Sequence, residues 1–98
     1  METMNLEFRG IPLTALESYF IELNDEQLTD DFPIFFDGGD WKGEIRFEEE
    51  VQIASAFRVN AVHISFHAVD KSQLDEIIKK YRKKTTRVGM APAQTFLI

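Results

Sequence analysis

Two histidines are the first residues to consider as chemical groups, because imidazole can bind metal ions and transfer protons. His63 and His67 are four positions apart in a stretch that alternates apolar and polar residues. On a strand they share a face but lie about 13 Å apart, at roughly 3.3 Å of rise per residue. One metal ion cannot bridge that distance, so a site would need ligands from neighbouring strands, such as Glu44 or Glu48. Two histidines on a polar sheet face explain the pattern more simply, and we expect no metal site.

The segment 37–40, Asp-Gly-Gly-Asp, is the other candidate for a metal, because paired carboxylates can hold a hard cation. A glycine-rich turn explains the same four residues without a metal. The chain has no cysteine, no glycine pattern typical of phosphate loops and no G-x-S-x-G serine elbow. We therefore assign no catalytic residue and no cofactor. The sequence favours a non-catalytic protein, although motifs cannot reveal an active site that is assembled only in space.

The segment 79–87 is a candidate anion-binding surface, because it contains six basic residues and no acidic one. Such a cluster can bind phosphate, a nucleic acid or an acidic partner, including the acidic half of a second copy. The alternative is a solvated helix end whose basic side chains complement the helix dipole. The candidate residues are Lys79, Lys80, Lys83, Lys84 and Arg87.

Aromatic residues around the glycine turn suggest a second candidate surface. Phe35 and Phe36 are adjacent, so on a strand they face opposite sides and one of them leaves the core. An exposed aromatic side chain on the open face of a sheet suits a partner or ligand. The alternative is that the segment 94–98 folds back and covers it. The candidate residues for a ligand or partner surface are Phe35, Trp41, Arg46, Arg58, His63 and His67.

Charge is unevenly distributed along the 98 residues, whose formal net charge is −6. Residues 1–50 carry 14 acidic and 3 basic side chains, a charge of −11, whereas residues 51–98 carry 3 acidic and 8 basic ones, a charge of +5. The overall negative charge disfavours nucleic-acid binding. The chain has no apolar run near the ~20 residues of a membrane span, and its start does not have the pattern of a signal peptide. Together with the lack of cysteine, these features lead us to expect a soluble cytoplasmic protein without membrane contact.

The first third of the chain predicts a strand followed by a helix. Residues 6–9 alternate apolar and polar, which indicates a strand. A helix is expected to begin near Pro12 or Thr14, because proline suits the first helical position and residues 14–17 have the pattern of a capping box. It should end at residues 24–25, with an apolar stripe of Leu13, Leu16, Phe20 and Leu23.

The middle of the chain predicts a series of antiparallel strands. Residues 32–36 are apolar but contain proline, which suits a sheet edge or a strand start, and the glycine turn should join them to a strand from Trp41. The segments 41–48, 51–60 and 62–68 each alternate one apolar face with a polar or small-residue face, and Phe47 is expected on the face of Trp41 and Ile45. Residues 48–57 are ambiguous: alternation favours a strand, whereas Val51, Ala54 and Phe57 would share one side of a helix.

The second helix has the clearest boundaries. Asp70 is a suitable N-cap with Gln73 three residues later, and Val69 and Leu74 are spaced for a hydrophobic staple. The helix should end before Gly89, and 88–98 is expected as an extended C-terminal tail. Its predicted apolar stripe comprises Leu74, Ile77, Ile78 and Tyr81.

These elements predict a single α+β domain over residues 1–98. We expect a two-layer sandwich in which an antiparallel sheet of about five strands carries two helices on one face, in the order β-α-β-β-β-β-α. The order resembles the two-layer architecture of TATA-box-binding-protein-like and helix-grip domains, although no sequence motif of those families is present.

The resulting functional hypothesis is a small binding or interaction domain without catalysis. It would use the open sheet face and the basic helix end to contact a protein partner or a second copy of itself. Two alternatives stay open: a small-ligand or enzyme pocket between helices and sheet, and a nucleic-acid or other polyanion site at the basic helix end.

Overall fold

The structure is a computed structural model and describes residues 1–23, 25–85 and 95–97, the last three by their backbone only. Its elements in chain order are β1 (Glu2–Arg9), α1 (Leu13–Glu22), β2 (Glu26–Gln27), β3 (Ile34–Asp37), β4 (Trp41–Ala54), β5 (Phe57–Ala68), α2 (Lys71–Thr85) and β6 (Thr95–Leu97). The strands form one antiparallel sheet in the order β2-β3-β4-β5-β1-β6. The predicted α+β fold, a two-layer sandwich with two helices, is confirmed.

The core lies between the sheet and the two helices. Leu6 and Phe8 of β1 and Ile64 and Phe66 of β5 are fully buried against the helices. Alternation along these strands puts their apolar side chains on one side of the sheet, so the opposite side is left without a helix layer. The predicted apolar stripe of α2 is buried as a whole: Leu74, Ile77, Ile78 and Tyr81.

Local signals in the sequence explain most element boundaries. The Asp70 side chain accepts a hydrogen bond from the Gln73 backbone N–H at 2.8 Å and caps α2, as predicted. Val69 is exposed, so the expected staple between Val69 and Leu74 does not form. Gly39 has a φ of +86°, which suits glycine in the predicted turn between β3 and β4.

The long hairpin differs from the prediction. Instead of three strands over 41–68 there are two, and the turn lies at residues 55–56 rather than at 48–50 and 60–61. Residues 48–54 are therefore strand, and the helical alternative for 48–57 is wrong. The tail predicted over 88–98 falls mostly outside the described residues. Of that tail the structure describes only β6, which pairs with β1 at the edge of the sheet.

Candidate functional site

The side of the sheet away from the helices, here called the polar face, brings side chains from β1, β5 and β4 into lateral rows. Strand pairing sets these rows, because residues opposite each other on adjacent strands point to the same side. The three rows are Thr3–His67–Lys42, Asn5–Ser65–Glu44 and Glu7–His63–Phe47. Both candidate histidines therefore lie on one surface, as their spacing predicted, and strand pairing adds their neighbours from β1 and β4.

His67 lies between a hydroxyl and a carboxylate from its two neighbouring strands. Its Nδ1 is 2.8 Å from the Thr3 Oγ1, and its Nε2 is 3.5 Å from Glu44 Oε1. If Nε2 carries the proton, the imidazole donates to Glu44 and accepts from the Thr3 hydroxyl. This order of hydroxyl, imidazole and carboxylate is one that nucleophilic enzymes use.

A hydroxyl nucleophile also needs donors that stabilise a developing oxyanion, usually backbone N–H groups aimed at the reacting atom. Thr3 and His67 are paired within the β1–β5 ladder, where backbone N–H groups point along the sheet towards the adjacent strand. The polar face therefore presents side-chain donors and acceptors, while the backbone N–H groups of Thr3 and His67 lie along the sheet.

His63 is held in a different environment from His67. It is only 8% exposed, its Nε2 lies 2.5 Å from Glu49 Oε2, and the Phe47 ring stacks on it at a centroid distance of 4.2 Å. The guanidinium of Arg46 lies 5.6 Å from the Phe47 centroid. The imidazole is therefore fixed by one carboxylate and one aromatic ring.

A β-bulge explains why Phe47 is found here. Ile45 pairs with Ile64 and Phe47 with His63, so Arg46 is an extra residue on β4. The extra residue reverses the alternation, and Phe47 lands on the polar face instead of the face of Trp41 and Ile45. The expectation that Phe47 shares the core-facing side is therefore wrong.

The two histidines are held by separate carboxylates, Glu49 for His63 and Glu44 for His67. Between them, Ser65 donates to Asn5 Oδ1 at 2.5 Å. Among the described residues no three His, Cys, Asp or Glu side chains are grouped so that they could hold a metal ion.

Beyond the bulge, β4 and β5 continue as a two-stranded arm, here defined as residues 47–60 and called the β4–β5 arm. Strand β3 pairs with β4 only up to Ile45, and β1 pairs with β5 only from Ala61, so the described strands give residues 50–60 of the arm no third partner. At about 3.3 Å per residue the arm extends roughly 20 Å, which fits the molecule's long dimension of 42 Å.

The side of the arm that continues the polar face is mainly apolar, with Glu49 at its base beside His63. Strand pairing places Phe47, Val51, Val59 and Phe57 on that side, and Ile53 lies at a second irregularity next to the turn. Phe57 is 58% exposed, Ile53 53% and Phe47 39%. We call this surface the apolar ridge.

The other side of the arm is polar and well satisfied. Arg58 pairs with Glu50 at 3.1 Å, and the Asn60 side chain donates to Glu48 Oε2 at 3.0 Å and to the Ile11 carbonyl at 2.7 Å. The backbone N–H of Gly10 donates to the Asn60 carbonyl, which ties the base of the arm to the loop before α1.

The remaining candidates for the partner surface lie in different places. Phe35 and Phe36 face opposite sides of β3, as alternation predicted: Phe35 is exposed on the polar-face side, and Phe36 is buried and stacks on Phe20 at a centroid distance of 4.4 Å. Trp41 lies on the helix side, half-buried and stacked on Phe20. Arg58 is on the polar side of the arm. The structure therefore brings together Phe35, Arg46, His63 and His67, and it separates Trp41 and Arg58 from them.

The basic end of α2 is partly neutralised by its own neighbours. Lys80 pairs with Glu76 at 3.2 Å and Lys84 with Glu22 of α1 at 3.0 Å, while Lys79 and Lys83 are exposed. Arg87 lies outside the described residues. Two of the predicted anion-binding side chains are therefore already engaged with carboxylates.

Sequence reasoning missed a buried carboxyl near the glycine turn. Asp25 is 6% exposed and neither carboxylate oxygen has a hydrogen-bond partner among the described residues. Burial, with a smaller effect of nearby Asp37, raises the pKa of Asp25 from 3.8 to about 7. No local pattern marks it, because it stands in a polar, acidic segment that reads as a solvated loop.

Fold and site together define a small two-layer α+β domain with a polar sheet face, an exposed apolar ridge and no helix in the described ranges that could span a membrane. Residues 4–89 match the family described as archaeal MoaD-like protein, and the chain belongs to this family. No curated protein matches the chain.

Proposed function

We propose that this protein is a non-catalytic protein-binding domain that contacts its partner through the apolar ridge and the adjacent polar face. The observation that carries the proposal is the exposure of Phe57, Ile53 and Phe47 on the side of the sheet opposite the helices. Membership in the archaeal MoaD-like family is compatible with a small interaction domain.

The position of the ridge indicates that its apolar side chains are exposed for a partner and are not meant to pack against the protein's own helices. The bulge at Arg46 turns Phe47 away from α1 and α2, and alternation along β5 places Phe57 on the same side as His63, so the protein's own helices do not cover these side chains. The opposite side of the arm, by contrast, is satisfied by Glu50–Arg58 and by the contacts of Asn60. An isolated two-stranded ribbon is only marginally stable in water, so a partner that covers the ridge would also stabilise the arm.

The charge beside the ridge indicates the chemistry of the partner. Glu49 lies on the ridge side of the arm, where it contacts His63, and Glu44 lies on the adjacent polar face. Glu48 and Glu50 are exposed on the opposite, polar side of the arm. Opposite charges around an apolar contact favour association and orient the partner. We therefore propose that the partner is a different protein, whose contact surface presents apolar side chains flanked by Lys or Arg.

The experiment is site-specific photo-crosslinking in cells from position 57, on the ridge, compared with position 52, on the polar side of the arm. The adduct is identified by mass spectrometry, and the purified partner is titrated against the wild type and the double variant Ile53→Asp/Phe57→Asp. Gln52→Asp is the matched control because it changes charge on the same arm without touching the ridge.

Support would be an adduct specific to position 57 and a purified partner whose binding is lost in the double variant and kept in the control. An adduct with a second copy, together with concentration-dependent sedimentation, would overturn the proposed partner in favour of self-association. Equal adducts from positions 52 and 57, or binding unaffected by the double variant, would overturn the ridge as the contact surface.

A further inference from the structure

We propose that the partner binds the β4–β5 arm by adding a strand: an extended segment of the partner pairs antiparallel with the open edge of β4 over residues 48–52. The segment alternates apolar residues, on the side of the apolar ridge, with Lys or Arg residues on the polar side of the arm. The inference rests on the proposed function, and it specifies the form of the partner's contact segment.

The edge of β4 that faces away from β5 is open along the arm. Strand β3 is the neighbour of β4 on that side, and it pairs with β4 only up to Ile45. Beyond that residue the described strands give this edge no partner, and residues 48–50 and 52 are exposed. An open strand edge presents unpaired backbone N–H and C=O groups, which is the arrangement that a further strand requires.

A hydrogen bond at the base of the arm shows which residues turn their backbone to this edge. The Asn60 carbonyl accepts from the Gly10 N–H, so the backbone of Asn60 faces the β1 side and turns away from β4. Asn60 is paired with Glu50, and in an antiparallel ladder both members of such a pair turn their backbone groups outward. The N–H and C=O of Glu50 therefore point to the open edge, and alternation adds those of Glu48 and Gln52.

The side chains of β4 define the sequence pattern of the added strand. In an antiparallel pair, residues directly opposite each other point to the same side of the sheet. Partner residues opposite Glu48, Glu50 and Gln52 would therefore lie on the polar side of the arm. The partner residues between them would lie on the ridge side, beside Phe47 and Val51. This alternation suits a segment with one apolar and one polar face.

Charge along the edge favours a basic segment over a second copy of this chain. Glu50 is paired with Arg58, and the Glu48 carboxylate accepts from the neutral Asn60 amide, so these two glutamates carry more charge than the arginine balances. Pairing two β4 edges would bring the glutamates of both copies close together, and like charges opposite each other destabilise a sheet. Lys or Arg at the same positions of a partner strand would instead form favourable cross-strand pairs.

The first experiment measures amide hydrogen exchange by NMR in the intact protein, alone and with a synthetic octapeptide that alternates Val and Lys. In the free protein the amides of Glu48, Glu50 and Gln52 should exchange faster than those of Glu49 and Val51, which face β5. Saturating peptide should slow exchange of the first three by about tenfold or more. The controls are an octapeptide that alternates Val and Glu and one with Val and Lys in two blocks, and neither should protect the edge.

Methylation of the peptide backbone separates main-chain pairing from side-chain contact. In the antiparallel register the peptide's Lys residues lie opposite Glu48 and Glu50, so their N–H groups donate to β4, whereas those of the Val residues face away. N-methylation of the two central Lys residues should weaken binding by about tenfold or more, because it removes two hydrogen bonds. N-methylation of the two central Val residues should change binding less than about twofold.

Glu50→Pro tests the same edge from the side of the protein. Proline lacks the N–H that points outward, and it removes no hydrogen bond between β4 and β5, because the Glu50 backbone faces away from β5. Glu50→Gln is the matched control, since it removes the same charge and keeps the N–H. Proline should weaken peptide binding about fivefold more than glutamine does. Binding of the methylated peptides to the wild type decides the case if the proline variant does not fold.

The outcomes separate strand addition from the proposed function. Edge protection by the Val-Lys peptide that is lost on Lys methylation would support strand addition. No protection, equal protection by the Val-Glu peptide, or equal or greater loss on Val methylation would overturn it. A partner crosslinked at position 57 that binds Glu50→Pro as tightly as Glu50→Gln would overturn strand addition and leave the ridge as the contact surface. A partner unaffected by Ile53→Asp/Phe57→Asp would overturn the proposed function itself.

Discussion

Asp25 should make this protein less stable in mildly alkaline than in mildly acidic solution. Its carboxyl is buried without a hydrogen-bond partner among the described residues, next to the backbone of Gly38 and under the electrostatic influence of Asp37. A Cβ on Gly38 would lie 2.7 Å from Asp25 Oδ1, so the carboxyl occupies space that is free because residue 38 has no side chain. The other titratable group coupled to it is Tyr81, whose buried phenol has a raised pKa and also faces Tyr19 and Glu17.

The direction follows from the pKa of Asp25, which is about 7 in the folded protein and 3.8 for a carboxyl that water surrounds, as in the unfolded chain. Between these two values the folded state binds the proton and the unfolded state does not. Stability from this group is therefore complete below pH 3.8 and is lost as pH rises through 7. Each pH unit in that interval corresponds to about 1.4 kcal/mol, so the loss between pH 5 and pH 8.5 should approach roughly 3 kcal/mol.

The test is urea unfolding of the wild type and of Asp25→Asn at several pH values from about 5 to about 8.5, the range over which the carboxyl should lose its proton. The amide keeps the shape of the carboxyl and cannot ionise. The variant should therefore gain stability relative to the wild type as pH rises, and its own stability should change less over this range. Asp30→Asn is the matched control, because Asp30 is exposed and lies in the same acidic segment.

Equal pH dependence of the wild type and Asp25→Asn would refute the argument, because it would mean that Asp25 titrates as an exposed carboxyl. A wild type that becomes more stable over the same rise in pH relative to the variant would refute even the sign. The Asp30→Asn variant should follow the wild type throughout, and a deviation there would assign the effect to general surface charge.

Three further predictions concern packing. Ile77→Ala should lower the free energy of unfolding by about 2–5 kcal/mol, because Ile77 is buried on α2. Lys79→Ala, on the exposed side of the same helix, should change it by less than ~0.5 kcal/mol. Similar losses for the two variants in chemical denaturation would mean that the buried face of α2 is misassigned. Gly43→Ala should destabilise by about 1–3 kcal/mol, because its Cβ would overlap Cε1 of the buried Phe20 ring, and a melting temperature equal to that of Lys42→Ala would contradict that contact. Tyr81→Phe should cost roughly 1 kcal/mol, since the buried hydroxyl donates to the Leu16 carbonyl at 2.8 Å; an unchanged urea midpoint would show that this bond adds nothing.

Much of the fold could be predicted from local patterns. The stripe at helical spacing and the Asp70 cap located α2, and the glycine turn located the β3–β4 hairpin. Alternation predicted that one of Phe35 and Phe36 is buried and the other exposed, and the structure shows that Phe36 is the buried one. These predictions succeeded because each depends on residues close together in the chain.

The errors came from features that involve two strands at once. Neither the bulge at Arg46 nor the turn at residues 55–56 has a sequence signal such as glycine or proline. The sequence patterns therefore placed Phe47 on the wrong face and predicted three strands over 41–68 where the structure has two. The position of Arg58 on the other side of the arm depends on the same hairpin, whereas Trp41 precedes the bulge and lies on the helix side with Ile45, as alternation predicts. A one-residue slip in register moves every later side chain to the other side of the sheet, and only the pairing of residues between adjacent strands shows where such a slip occurs.

The sequence by itself determined the class of the molecule: an α+β domain of two helices on one face of an antiparallel sheet, with acidic and basic halves. Only the tertiary structure decided which side chains face each other across strands. It placed His67 between Thr3 and Glu44, turned Phe47 onto His63, left Phe57 uncovered and buried Asp25 beside Gly38. The physical reason is that periodicity records which side of an element is apolar, whereas strand register and close packing depend on contacts between residues far apart in the chain.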